Sequence, residues 1–160
     1  MSAMDFTEFH EKEIEFFYFP APARGCLGRL ALHTGGIKFT DTALSPAAFE
    51  ELKAQGKVIF GSVPVMTHGS LILAQSQAVA SYCAELAGLT AGTAFHRAQD
   101  LMIVSTLEDI YATNIKVQTT ASIEDKGSHI SSMMTKFFTP IENMLPEQGH
   151  WFHEGGNSSQ

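Results

Sequence analysis

Apolar residues in the first half of the chain come in short unbroken runs, whereas in the second half they recur every three or four positions. Ile14 to Phe19, IEFFYF, is a continuous aromatic and aliphatic run of the kind found in strands buried on both faces. Pro20-Ala-Pro22 stops it. From Arg24 to His33, Leu27, Leu30 and Ala31 stand at helical spacing, and Gly35-Gly36 closes the segment, which predicts a helix. Ile37 to Thr42 reads as a second strand, and the short crossover makes it parallel to the first. Ser45-Pro46 caps and begins a short helix to Lys53, with Phe49 and Leu52 on one side. The stretch Gly61 to Tyr82, GSVPVMTHGSLILAQSQAVASY, reads as strand, Gly69 turn, strand and a helix from Ser76 to about Ala87. The expected order is β-α-β-α-β-β-α up to Gly88.

Gly88 to Gly92 then reads as a linker, and the periodicity changes beyond it. Residues 94 to 117 form a long helical pattern with Leu101, Val104, Leu107, Ile110 and Tyr111 inward. Residues 127 to 145 form another, in which Ile130, Met133, Met134, Phe137, Phe138, Ile141, Met144 and Leu145 follow the same rule. The expected organisation is a leader over 1–13, an α/β unit over 14–88 and a helical unit over 89–160.

Composition narrows the class. The 160 residues are 44% hydrophobic, enough for one good core or two small ones. Seventeen acidic and ten basic residues give a formal charge of -7, which speaks against non-specific nucleic-acid binding. Any anion must therefore be gripped locally. Cys26 and Cys83 stand far apart with no CxxC, so neither a disulfide framework nor a zinc ribbon is indicated and a reducing, cytoplasmic setting is expected. No apolar run reaches membrane-spanning length, so no membrane partner is expected. His150 and His153 flank Trp151 as H-x-x-H, but two ligands without a third donor make a poor zinc case, and no metal is expected.

Two features carry candidate chemistry. A proline between Val63 and Val65 has no place in a central ladder, which asks for a special reason. A cis peptide bond presenting the Val63 backbone to a ligand is one. Ser76 sits where an N-cap belongs, so its hydroxyl and the nearby helix N–H groups form a site for a carboxylate.

Taken together, these residues resemble the glutathione transferases, most closely the sigma-like, tyrosine-dependent class, from about Ile14 to Asn157. Tyr18-Phe19 followed by Arg24 and Arg29 is similar to the family's strand-end tyrosine and its G-R-A-E-x-I-R helix start. Ala-Phe49-Glu-Glu-Leu-Lys53 resembles W-x-x-L-K, with phenylalanine for tryptophan, and Val63-Pro64-Val65-Met66 resembles L-P-V-L. Ala74 to Ala80 is similar to Q-S-x-A-I-x-R-Y-L, and Met102 to Asp109 and Pro140 to Phe152 resemble the family's helical part. Cys26 departs from it by replacing a glutamate, and Leu101 stands where an aspartate is common. The chain stops at Gln160, where the family continues with further helices, so a truncated helical domain is expected.

The resemblance implies a thioredoxin-like domain followed by an all-α, incomplete helical domain, with glutathione as substrate and a homodimer as the assembly. Tyr18 would donate a hydrogen bond from its phenol to the glutathione thiolate without itself ionising; without the resemblance it is one more aromatic in an aromatic strand. Val63, ahead of Pro64, would pair with the cysteinyl backbone, and Gln75 and Ser76 would take the γ-glutamyl carboxylate. Lys53 would bind the glycyl carboxylate beside Phe49, although a lysine on a short helix is usually solvated. Arg24 would support Tyr18 electrostatically. A small apolar electrophile would sit between the Pro20 to Ala23 loop and the helix near Met102 to Tyr111. Cysteine-dependent relatives carry their thiol nearer the strand end than Cys26, which is therefore read as an ordinary thiol. Two other readings are an inactive glutathione-binding or structural member and a glutathione-dependent isomerase.

Overall fold

The computed structural model describes residues 12–90, 92–120 and 122–145. The chain divides into two compact units, Met1–Thr90 and Ala91–Gln160. The first contains β1 (Ile14–Tyr18), α1 (Cys26–Thr34), β2 (Thr40–Ala43), α2 (Pro46–Ala54), β3 (Val65–His68), β4 (Leu71–Ala74) and α3 (Ser76–Leu86), in the expected order. The strands form a mixed sheet in the order β2-β1-β3-β4, with β1 and β2 parallel and the other pairs antiparallel. This is the thioredoxin-like arrangement. No helix among the described residues is long and apolar enough to cross a membrane.

The unbroken apolar run of β1 is explained by two cores, one on each face of the sheet. Ile14, Phe16 and Tyr18 pack with Ala31, Leu32, Met66, Val79 and Cys83 on the side of α1 and α3. Phe17 packs with Leu44, Leu52, Val58, Val65 and Ala74 on the side of α2. Phe16 is fully buried, so truncating it to alanine would cost about 3–5 kcal/mol. Gly28 lets α1 close on that ring, since a Cβ there would lie 2.7 Å from Phe16 Cε2. On the α2 face the Lys57 ammonium lies 5.1 Å from the Phe17 ring centroid and 3.7 Å from the Glu15 carboxylate.

Some boundaries differ from the sequence expectation. The second strand begins at Thr40 rather than Ile37, because the Ile37 N–H is drawn back to the Leu32 carbonyl at 2.9 Å and Gly36 has φ 65°. Those interactions belong to a helix terminus, and the chain reaches the ladder only at the Glu15–Thr40 pair. Pro64 stands just outside β3, where its missing N–H costs no ladder bond.

The second unit contains α4 (Ala94–Thr120), α5 (Ile123–Met133), a π-helical stretch (Met134–Phe138) and α6 (Thr139–Asn143). The uninterrupted helix expected over 127–145 is thus replaced by α-helix, π turn and α-helix. Pro140 lacks an N–H and its ring would crowd the carbonyl four residues back, and the wider turn immediately precedes it. There the Thr139 N–H reaches the Met134 carbonyl. Of the expected apolar face Phe137 is buried, whereas Ile130, Met134 and Phe138 are 56%, 51% and 40% exposed. In α4, Ile110 and Val117 are buried while Leu101, expected inward, is half exposed. His150, Trp151, His153 and the Gly149 to Phe152 part of the resemblance lie outside the described residues.

One core group makes stability pH-dependent. Cys83 is buried with its Sγ 3.5 Å from Met66 Sδ, and burial pushes its thiol from 9.0 up to about 12. A raised folded value means that the thiol's contribution is complete below about pH 9 and is lost as pH rises towards 12. Tyr82, pushed up by burial and then by Cys83, adds to the same limb. Denaturant midpoints should therefore fall over this window, and Cys83→Ala should flatten the fall even though it lowers the neutral-pH midpoint. An unchanged slope would show that Cys83 is not the titrating core group.

Candidate functional site

The strand register brings three separate segments to one end of the sheet. Phe17 lies opposite Val65 of β3, and Val65 lies opposite Ala74 of β4. One residue beyond that row in each segment stand Tyr18, Pro64 and Gln75. On the other side Tyr18 pairs with Ala43, and the Leu44 N–H donates to the Tyr18 carbonyl at 2.9 Å. Ser45, whose hydroxyl accepts from the Ala48 N–H at 3.2 Å, starts α2 at this same end.

Tyr18 is buried except at its rim, and its phenol oxygen accepts a hydrogen bond from the Arg24 backbone N–H at 3.1 Å. In that contact the phenol is the acceptor, so its own proton remains for donation. Gly25 makes the close approach possible, because a Cβ there would lie 2.6 Å from Tyr18 Cδ1. The turn Ala23–Gly25, a single 3₁₀ turn leading into α1, thus closes over the ring. Arg24 meets the Tyr18 oxygen through its main chain, while the guanidinium over the ring comes from another residue.

That residue is Arg29, which the sequence pattern placed in the resemblance but not in the site. Its guanidinium carbon lies 5.5 Å from the Tyr18 ring centroid and 5.4 Å from that of Phe16. Nε is 2.9 Å from both oxygens of Asp41 on β2, and Nη1 donates to the Ala21 carbonyl at 3.2 Å. The available signal was an arginine in the middle of α1, one residue after Gly28 and four after Gly25.

Val63 is half-buried and joined to buried Pro64 by a cis peptide bond. At the next segment the N-cap of α3 is Gln75, not Ser76 as expected. Gln75 has φ 76° and ψ 121°, accepts the Val79 N–H at 2.9 Å through its carbonyl, and makes no side-chain cap. Ser76 is the first helical residue. The reason is distance: β4 ends at Ala74, which leaves one residue to turn strand into helix. Positive φ at a non-glycine residue costs on the order of 1–3 kcal/mol and collects at functional sites.

The flank is aromatic. The Phe19 ring stands 6.0 Å from Tyr18 and 5.7 Å from Phe49, which binds α2 to the end of β1. Lys53, one turn after Phe49, is exposed and pairs with Glu50 at 3.6 Å. Cys26 is the first residue of α1 and half-buried. Among the described residues no group of three or more His, Cys, Asp or Glu could hold a metal ion.

No family model matches the chain. A glutathione S-transferase of Gallus gallus is 26% identical over 137 residues, 82% of this chain and 62% of the relative. The hematopoietic prostaglandin D synthase of the same bird is 33% identical over 92 residues, 58% of this chain and 45% of the relative. Among solved structures, the glutathione S-transferase of Ascaris lumbricoides superposes with a TM-score of 0.60 at 25% identity, covering 82% of this chain and 62% of its own. The chain thus spans less than two thirds of these proteins.

Gln75→Gly tests whether the strained corner is kept for its side chain. Removing the Cβ should raise stability by about 1 kcal/mol in denaturant unfolding, since glycine adopts this conformation freely. A loss of stability would mean that the corner is held by packing instead.

Proposed function

Because its sequence and structural neighbours point to the glutathione S-transferase family, we propose that this chain carries a glutathione site at the Tyr18 end of the sheet and conjugates glutathione to small apolar electrophiles. The observation that carries the reading is the convergence of Tyr18, cis Val63-Pro64 and the Gln75–Ser76 corner through one strand register. Val63 pairs with the cysteinyl backbone by strand addition. Gln75 and Ser76 receive the γ-glutamyl carboxylate at the start of α3, where helix N–H groups favour an anion. Lys53, with Phe49 beside it, takes the glycyl carboxylate.

The phenol of Tyr18 then donates to the sulfur. A thiol of pKa ~8.5 must be lowered by about two units to be mostly thiolate at neutral pH, roughly 2.7 kcal/mol of differential stabilisation. The Arg24 N–H on the phenol oxygen polarises the O–H and strengthens that donation. The electrophile approaches over Phe19 and the Pro20 to Ala23 loop, in a cytoplasmic protein serving detoxification. The expected result for Tyr18→Phe is retention on immobilised glutathione with a conjugation rate lowered at least about tenfold, or ~1.4 kcal/mol. Ser76→Ala should instead weaken retention. Equal rates for Tyr18→Phe would remove Tyr18 from the mechanism, and retention without conjugation in the unaltered chain would favour a binding role.

A second reading is favoured by the 33% identity to a prostaglandin D synthase. The same site would then regenerate glutathione after isomerising its substrate. Counting free thiol after turnover separates the two, because conjugation consumes it and isomerisation does not.

We also read the assembly as a homodimer. Ile59 and Phe60, 52% and 65% exposed, form an apolar knob on the loop before Pro64, which a second copy would cover. Phe60→Ser should shift the sedimentation equilibrium towards monomer; an unaltered chain sedimenting as a monomer would overturn this reading.

A further inference from the structure

We propose that Arg29 is a positioning residue for Tyr18, holding the phenol and the Phe19 to Pro22 loop in one fixed arrangement around the glutathione sulfur. The proposal rests on the glutathione reading of the Tyr18 site and adds a residue that acts through Tyr18 rather than on the thiol. Three interactions of one guanidinium carry it. The guanidinium carbon lies over the Tyr18 ring at 5.5 Å, within the range of cation–π attraction. Nη1 fastens the Ala21 carbonyl at 3.2 Å, which fixes the loop leaving the strand. Nε is held 2.9 Å from Asp41, so the guanidinium is itself anchored to β2.

This geometry needs an arginine. A planar fork presents one edge to the Asp41 carboxylate, another N–H to the Ala21 carbonyl and a face to the rings, which a lysine ammonium cannot do at once. The Arg29 side chain is mostly buried. A charge so placed is kept by its partners, and here they are the group that meets the thiol, the loop beside it and the adjoining strand. The guanidinium of the pair is the group that lies over the phenol ring. That placement stabilises electron density drawn onto the ring and oxygen when the O–H donates to a thiolate. The Arg24 N–H reaches the phenol oxygen from the turn before α1. The charged side chains that the Tyr18 ring meets through this network are Arg29 of α1 and, beyond it, Asp41 of β2, while Glu50 and Lys53 on α2 are paired with each other.

The test reads ionisation of bound glutathione, through the ultraviolet absorption of its thiolate across pH, in four forms: the unaltered chain, Arg29→Ala, Tyr18→Phe and the double variant. Arg29→Ala should raise the apparent pKa of bound glutathione by about half to one unit, a three- to tenfold loss of thiolate at a given pH below it. In the Tyr18→Phe background the same change should have no further effect, because residues acting as one unit are not additive. Glutathione affinity at low pH, where the thiol is neutral, should change less than twofold. Should Arg29→Ala fail to fold, Arg29→Lys serves instead, and it should recover less than half of the effect. An equal shift in both backgrounds, or none in Arg29→Ala while Tyr18→Phe shifts it, overturns the positioning role and leaves the glutathione site standing. No shift in Tyr18→Phe removes Tyr18 from the mechanism and the positioning role with it, and no binding by the unaltered chain overturns the glutathione reading itself.

Discussion

Burial of β1 on both faces is the constraint on which the first unit depends. A strand with a core on each side cannot slip by one residue, since every side chain would exchange cores. Phe16 fits against Gly28 of α1, and Phe17 fits among Leu44, Leu52 and Val65 below. With β1 locked, its register with β2 and β3 is locked as well, and β3 fixes β4 through the turn at Gly69. Tyr18 then has one possible position, buried at the end of the strand in the core on the side of α1 and α3. The site is a consequence of this locking: its segments are distant in sequence and meet only because the ladder aligns them.

Much of that was legible in the sequence, and the parts that were not share a cause. Continuous apolar runs, glycine stops and Ser45-Pro46 report local energetics, so the element order of the first unit followed from them. The start of the second strand did not, because Ile37 and Phe39 are apolar for packing against the core on the side of α1 and α3 and not for pairing in the ladder. Gln75 and Ser76 were both recognised, but which one turns the corner depends on where β4 stops, a long-range matter of register. The role of Arg29 was hidden for the same reason: its partners Asp41, Ala21 and Tyr18 lie eight to twelve residues away, on three other segments. In the second unit a helical period was visible, but a π turn changes the phase of the pattern without changing its composition.

The three cations near the site differ in how firmly they are held, and the difference assigns them different tasks. Arg29 is committed: moving it would give up its carboxylate partner, a backbone carbonyl and two ring faces together. Arg24 contributes its main chain to the phenol, so that contact is independent of its charge. Lys53 is the opposite case. Its exposed pairing with Glu50, three residues before it on α2, is of a kind worth about 0–1 kcal/mol, so exchanging Glu50 for an incoming carboxylate costs little. In a chain with a formal charge of -7, an anion gains nothing from the overall field and must find such local donors. A cation free to turn suits capture of a ligand's flexible end, whereas a cation that cannot turn suits holding a phenol still. On that division, the proposed binding falls to the backbone N–H groups at the start of α3 and to Lys53, and the proposed positioning of Tyr18 falls to Arg29.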